Sequence, residues 1–248
     1  MKKSLLFCLM SSLILLTSCK IDIRNIGDGN RIEPSANIVK KTFPQDAFNK
    51  VDIEVVANVK FIQSNDSNYK VTISAPENYI ELFKLTVNNN ELNVDFVRNN
   101  VNIEVKNVDV TIYSPTLSKL ENSGVANVEV DYLSTDELTL DNTGVGKLFF
   151  SGLIVRQLNV ECSGVGGVEL SGNADYTKLV CSGVGSIDAQ DLIATHVEAE
   201  VSGVGGITCH AKESIKGDVS GVGSLKYAGT PPKHDFTRTG VGKIEGVN

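Results

Sequence analysis

Ser163-Gly164-Val165-Gly166-Gly167-Val168 decides how this chain folds, because the pattern occurs seven times along it. The other copies are Ser123-Gly124-Val125-Ala126-Asn127-Val128, Thr143-Gly144-Val145-Gly146-Lys147-Leu148, Ser182 to Ile187, Ser202 to Ile207, Ser220 to Leu225 and Thr239 to Ile244. Their first glycines, Gly124, Gly144, Gly164, Gly183, Gly203, Gly221 and Gly240, follow one another at 20, 20, 19, 20, 18 and 19 residues. A period this regular marks a solenoid, in which a repeat buries its apolar side only by stacking on its neighbours.

Side-chain periodicity decides between helix and strand. Three residues before each Ser/Thr stand Leu120, Leu140, Val160, Leu179, Ala199, Gly217 and Phe236. Two residues before stand Glu121, Asp141, Glu161, Val180, Glu200, Asp218 and Thr237, so a mostly apolar column borders a mostly acidic one. Beyond the glycines, Val128, Leu148, Val168, Ile187, Ile207, Leu225 and Ile244 form an unbroken aliphatic column, and a mainly polar one beginning at Glu129 comes next. Period two on both sides predicts two short strands per repeat with a bend between them. The fold expected is all-β, a parallel β-helix of about 19–20 residues per coil; a propeller blade needs about twice that length.

The first glycine is the same in all seven copies, which requires either φ > 0 at a corner or a backbone too crowded for a Cβ. The later glycine is once replaced, by Ala126, which points to close packing there. The neighbouring Ser/Thr is expected to accept a hydrogen bond from a turn amide.

Residues 118–248 thus form the seven Ser/Thr-Gly-Val-Gly repeats. Residues 38–117 lack the motif but alternate as strands, for example Val51-Asp52-Ile53-Glu54-Val55 and Val108-Asp109-Val110-Thr111-Ile112, with turn clusters at 64–68 and 88–90. They are expected to be irregular N-terminal coils continuous with the array and capping its lower end.

The N-terminus has the form of a secretory signal over residues 1–18. Lys2 and Lys3 precede an apolar run from Leu5 to Leu16 that is short for a membrane span. Leu16-Thr17-Ser18-Cys19 resembles the lipobox at which bacterial lipoproteins are cleaved. The resemblance implies acylation of Cys19 by a diacylglycerol and a further chain such as palmitate, with residues 19–37 as a lipid-anchored tether. Several acyl chains at roughly 0.8 kcal/mol per buried CH₂ hold a protein durably. Lys20 rather than Asp after the cysteine, by similarity to enteric lipoproteins, points to the outer membrane, on either its periplasmic or its cell-surface face.

Loss of residues 1–18 removes two lysines and no acids, carrying the formal charge from −7 to −9. That balance disfavours nucleic acid and anionic lipid surfaces as partners. Cys162, Cys181 and Cys209 are too few for a disulfide scaffold, and no CxxC points to zinc. Cys162 and Cys181 share one inward column just before the Ser, where strand spacing fits two buried thiols better than a bridge with parallel Cβ vectors. Asn122 and Asn142 continue that column as an amide ladder.

Phe48-Asn49-Lys50-Val51-Asp52-Ile53, Tyr69-Lys70-Val71-Thr72-Ile73, Leu92-Asn93-Val94 and Val110-Thr111-Ile112-Tyr113-Ser114-Pro115-Thr116-Leu117, leading into the glycine ladder, resemble the auto-transporter adhesin head domain, or GIN domain, of Gram-negative envelope proteins. The resemblance covers about residues 40–248. It implies a right-handed parallel β-helix and adhesin-type binding, and brings no catalytic residues.

Gly164-Val165-Gly166-Gly167 lacks the third glycine of a dinucleotide fingerprint and opens no helix, and the same glycines recur seven times where a cofactor needs one loop. No cofactor is expected. The acidic column Glu121, Asp141, Glu161, Glu200 and Asp218 stacks like charges, which a weakly bound cation or nearby lysines such as Lys119 and Lys178 would relieve. A polysaccharide-active enzyme would need a base beside carboxylates or a metal, but His196, His210 and His234 occupy different places in the repeat. Phe149 and Tyr132 are the candidate aromatic platforms for a glycan. The expectation is a non-enzymatic adhesive rod meeting a protein or glycan ligand; the alternative is a structural envelope component that pairs, with itself or another protein, by stacking its last coil.

Overall fold

The computed structural model describes residues 31–97, 102–103 and 107–247. The signal peptide and Cys19 expected from the sequence, the first part of the expected tether up to residue 30, and Asn248 lie outside the described residues. In chain order, β1 (Arg31–Ile32), β2 (Ile38–Pro44), β3 (Lys50–Ile53), β4 (Val56–Gln63) and β5 (Lys70–Pro76) precede a one-turn helix, α1 (Glu77–Ile80). Next come β6 (Phe83–Asn88), β7 (Glu91–Phe96), β8 (Asn102–Ile103) and β9 (Asp109–Ser114). The repeats supply β10 (Lys119–Asn122), β11 (Val125–Val130), β12 (Leu133–Asn142), β13 (Val145–Cys162), β14 (Val165–Cys181), β15 (Val184–Val201), β16 (Val204–Val219), β17 (Ser224–Ala228), β18 (Lys233–Arg238) and β19 (Lys243–Gly246).

From β10 onward every pairing is parallel, and equivalent residues of successive repeats are register partners. The aliphatic column runs without a break through Val128, Leu148, Val168, Ile187, Ile207, Leu225 and Ile244. All but Ile244 are at most 2% exposed, each contributing roughly 1.5–3 kcal/mol of hydrophobic burial. The fold is the parallel β-helix that the repeat predicts.

The strands differ from the expectation of two short pieces. β13 to β16 run for 18, 17, 18 and 16 residues, broken only at the Ser/Thr-Gly corner. The other bends are taken by register shifts, at Phe150/Leu153 and Glu169/Ser171 for example. Such bulges turn a strand without ending its ladder, so a period-two reading finds the strands but not the bends inside them.

At the corner the structure decides between the two explanations for the glycine. Gly144, Gly164 and Gly183 are not among the positive-φ residues; a Cβ on any of them would instead overlap the carbonyl oxygen of the glycine one coil below. The corner amides use the same proximity: Gly144 N donates to Asn122 O at 2.8 Å and Val145 N to Gly124 O at 2.8 Å. The corner hydroxyls behave differently from expectation. Ser123 and Thr143 donate to the carbonyls of Ile53 and Asn122, each at 3.4 Å, rather than accepting from an amide.

The N-terminal part is continuous with the array, but its order in space is not its order in sequence. β10 and β11 stack directly on β3 and β4, which stack in turn on β7 and β9. The chain therefore starts one coil up, descends, and climbs back past its own first coil to begin the repeats. The lower end is closed by antiparallel strands: β5 pairs with β9, β2 with β5, and β6 with β7. Ile32 and Ser35 are tied to this cap, because Tyr79 Oη donates to Ile32 O at 2.7 Å and Ser35 N to Asn78 Oδ1 at 2.9 Å.

Candidate functional site

Stacking turns each position of the repeat into a line running up the rod, so the outer surfaces can be built column by column. Inside, the column before the corner reads Val94, Ile53, Asn122, Asn142, Cys162, Cys181, Val201 and Val219. Asn122 Nδ2 donates to Asn142 Oδ1 at 2.9 Å, and both side chains are fully buried, as an amide ladder requires. Cys162, Cys181 and Cys209 are buried free thiols. Burial pushes Cys162 up to about 11 and Cys209 to about 12, which leaves them protonated and unreactive.

The acidic column extends one coil below the repeats, where Asp52 pairs with Glu121. Burial, then the Glu121 and Glu54 charges, raise the Asp52 carboxyl to about 6. Lys119 sits between Glu121 (2.8 Å) and Asp141 (3.4 Å) and supplies the countercharge there. Lys178, in the same column as Lys119, does not do so, because Val180 occupies the acidic position in its own coil and the lysine lies opposite Glu198 at 3.8 Å. Among the described residues, no three His, Cys, Asp or Glu side chains converge as a metal centre needs.

The polar column beginning at Glu129 forms a groove of about 770 Å³ on the outer face of the sheet that follows the corner. Its floor is the register line Lys60, Glu129, Phe149, Glu169 and Asp188. Asp131 and Asp191 stand on one wall, and Asn58 and Asn127 on the other. Six carboxylates line it against one lysine. Lys60 is committed to Asp131 (2.7 Å) and Glu129 (3.6 Å), and the hydrogen bond that it donates to Asp131 raises the lysine while lowering Asp131. Phe149 lies half-buried between Glu129 and Glu169, with the Lys147 ammonium 5.8 Å from its ring centre. The arrangement offers an apolar contact ringed by acceptors, at fixed spacing along the rod. Tyr132, the other candidate platform, is 53% exposed and does not line the groove.

The valines of the Gly-Val-Gly corners form a second line, Val125 to Val241, with each side chain 46–84% exposed. His196 stacks on Tyr176, a tyrosine that belongs to the same column six residues before the corner serine. Sequence reasoning missed this pairing, yet the same counting carried three positions further from the corner would have found it.

The fold and its outer faces define a class, a parallel β-solenoid that presents long columns of side chains rather than one enclosed pocket. Within that class the chain belongs to the family described as "Putative auto-transporter adhesin, head GIN domain", which matches residues 47–231. A solved structure of a putative adhesin from Bacteroides fragilis is 37% identical with a TM-score of 0.84, over 87% of this chain and 100% of that one. A putative adhesin from Parabacteroides merdae (22% identity, TM-score 0.63, 88% and 99% covered) shares the fold. So does a putative lipid binding protein from Parabacteroides distasonis (19%, 0.65, 88% and 100%). No curated protein matches significantly.

Proposed function

We propose that the protein is a non-enzymatic adhesive module of the cell envelope, held to the outer membrane through lipid on Cys19, with the groove around Phe149 as a contact surface for a partner that carries positive charge. The groove carries the reading: an aromatic ring flanked by carboxylates on a rigid sheet gives an apolar anchor with charge complementarity around it. The formal charge of −9 left after loss of residues 1–18 adds long-range attraction for such a partner. Membership of an adhesin-type family supports binding over catalysis, and the lipobox-like Leu16-Thr17-Ser18-Cys19 supports the anchor.

Two measurements on intact cells test it. Radiolabelled palmitate should enter the full-length protein and be absent from Cys19→Ala. Protease added to whole cells should digest the rod together with known outer-leaflet proteins. A rod protected while those proteins are cut would end the adhesive reading, and a palmitate signal that survives Cys19→Ala would end the proposed anchor.

A further inference from the structure

The corner valines are more exposed than the fold requires. Val125 to Val241 stand one above another, coil upon coil, over about 29 Å at strand spacing. Among the described residues they are seven of the twelve large apolar side chains that stay exposed, so apolar surface is gathered into one stripe rather than scattered. Threonine has the same branching at Cβ and would suit the same backbone. The chain places it two residues earlier, at Thr143 and Thr239, yet never on the valine line. The stripe offers roughly 600 Å², the upper end of what a monomer leaves uncovered.

On the serine side of the valines runs a groove of about 490 Å³, lined by Ser or Thr, Gly and Val alone. The glycines that stacking demands also keep its floor low. Ser123 and Thr143 already donate their hydroxyl hydrogens to carbonyls of the coil below, so covering them breaks no bond that only water could make. Ridge and groove have one repeat and one length, which makes the surface complementary to itself.

We infer that this stripe is an interface between two copies of the chain, lying side by side with their rods parallel. Two features fix the orientation. A two-fold axis along the rod seats the ridge of each copy in the groove of the other, whereas an axis across the rod sets ridge on ridge. The flanks agree with the first arrangement. The acidic column, Glu121 to Asp218, borders the serine side, while the column two residues after the valines carries Lys147 and Lys243 among uncharged residues. Parallel rods set the acids of each copy beside the lysine side of the other; antiparallel rods set acids against acids. The same acids disfavour a lipid surface as the occupant. Two stripes together bury about 1,200 Å², the low end for a specific interface, so the pair forms reversibly. The stripe shares no lining residue with the acidic groove and does not rest on the adhesive reading.

The test is cross-linking of the full-length protein, purified in detergent, with a short bismaleimide. Val125→Cys and Val184→Cys probe the stripe, and Tyr176→Cys probes an exposed position on another face. The thiols of Cys162, Cys181 and Cys209 are buried and do not compete. Parallel pairing brings each valine position against its own counterpart, so both valine variants should give covalent dimer in at least fivefold the yield of Tyr176→Cys. Adding Val204→Asp, an exposed substitution on the same line, should cut the Val125→Cys yield at least fivefold. Dimer from Val184→Cys without dimer from Val125→Cys would mean antiparallel rods, and equal yields from all three positions would mean random collision. Either result, no dimer from the valine positions, or a yield that Val204→Asp leaves unchanged would overturn the interface.

Discussion

The repeat array and the N-terminal cap share their interior columns and differ at their corners. In the array the residue after the corner serine is glycine, because the coil beneath brings a backbone carbonyl into the space of a Cβ. In the first coil of the cap the equivalent residue is Val55, fully buried. Below it β7 stops at Phe96 and β9 begins only at Asp109, so no tight corner lies underneath. Val55 fills the room that a lower corner would take. The glycine ladder is therefore a consequence of having a neighbour beneath, and a coil without one can carry a side chain that plugs the end.

The sharpest way to break this comparison is to exchange the two solutions. Gly164→Val drives a side chain into Thr143 and Gly144 and is expected to cost ~3 kcal/mol or more, reducing soluble, folded protein to near nothing. Val55→Gly removes packing without a clash and should cost about 2–3 kcal/mol, leaving a folded protein with a lower denaturant midpoint. Equal losses from the two changes would show that corner crowding is not what sets the glycine.

A smaller effect separates the polar and apolar stretches of the interior column. Asn142→Val leaves the Asn122 amide with only its 3.4 Å contact to Ala126 O, for a cost of about 1–3 kcal/mol. Replacing both asparagines by valine, the residue already found at Val201 and Val219, should recover most of that loss. Urea melts of the two single variants and the double variant form the cycle, and a double variant as unstable as the sum of the singles would contradict the ladder.

The smallest effect lies at the join of cap and array. Asp52 titrates near 6 in the folded protein against 3.8 for the free carboxyl, so protonation favours the fold. Its contribution is complete below pH 3.8 and disappears as pH rises through 6. Asp52→Asn should therefore stabilise the protein at pH 7.5 by about 1 kcal/mol, after allowance for solvent screening of this half-exposed group, and do little at pH 4. A gain of the same size at both values would mean that the carboxyl is not perturbed.

Much of the fold was legible because every coil of the array sees the same surroundings. One alignment of the chain with itself places Val168, Ile187 and Ile207 in a shared column, and the structure keeps that register. The cap was not legible in this way. Its strands alternate like the rest, but the antiparallel pairings of β2, β5 and β6 depend on partners far along the chain, and nothing in an isolated strand such as Val71-Thr72-Ile73 tells which edge it will join. The surfaces were legible in part. The polar column from Glu129 and the ring of Phe149 were visible, whereas the concavity that makes them a groove depends on bends inside β13 and β14 at the positive-φ glycines Gly152 and Gly172, which stand outside the Gly-Val-Gly motif and do not recur in every coil. Lys178 looked close to the acidic column in sequence, but its own coil has Val180 at the acidic position and stacking places the lysine opposite Glu198.

Spin labels on Val125→Cys and Val222→Cys test the stacking most directly, since the thiols of Cys162, Cys181 and Cys209 are buried and both valines lie on the exposed corner line. The two sites are five coils apart, which at strand spacing predicts a single distance near ~24 Å, broadened only by the label arms. A distance beyond ~35 Å, or several populations, would mean that successive repeats are not piled one upon another as strand spacing demands.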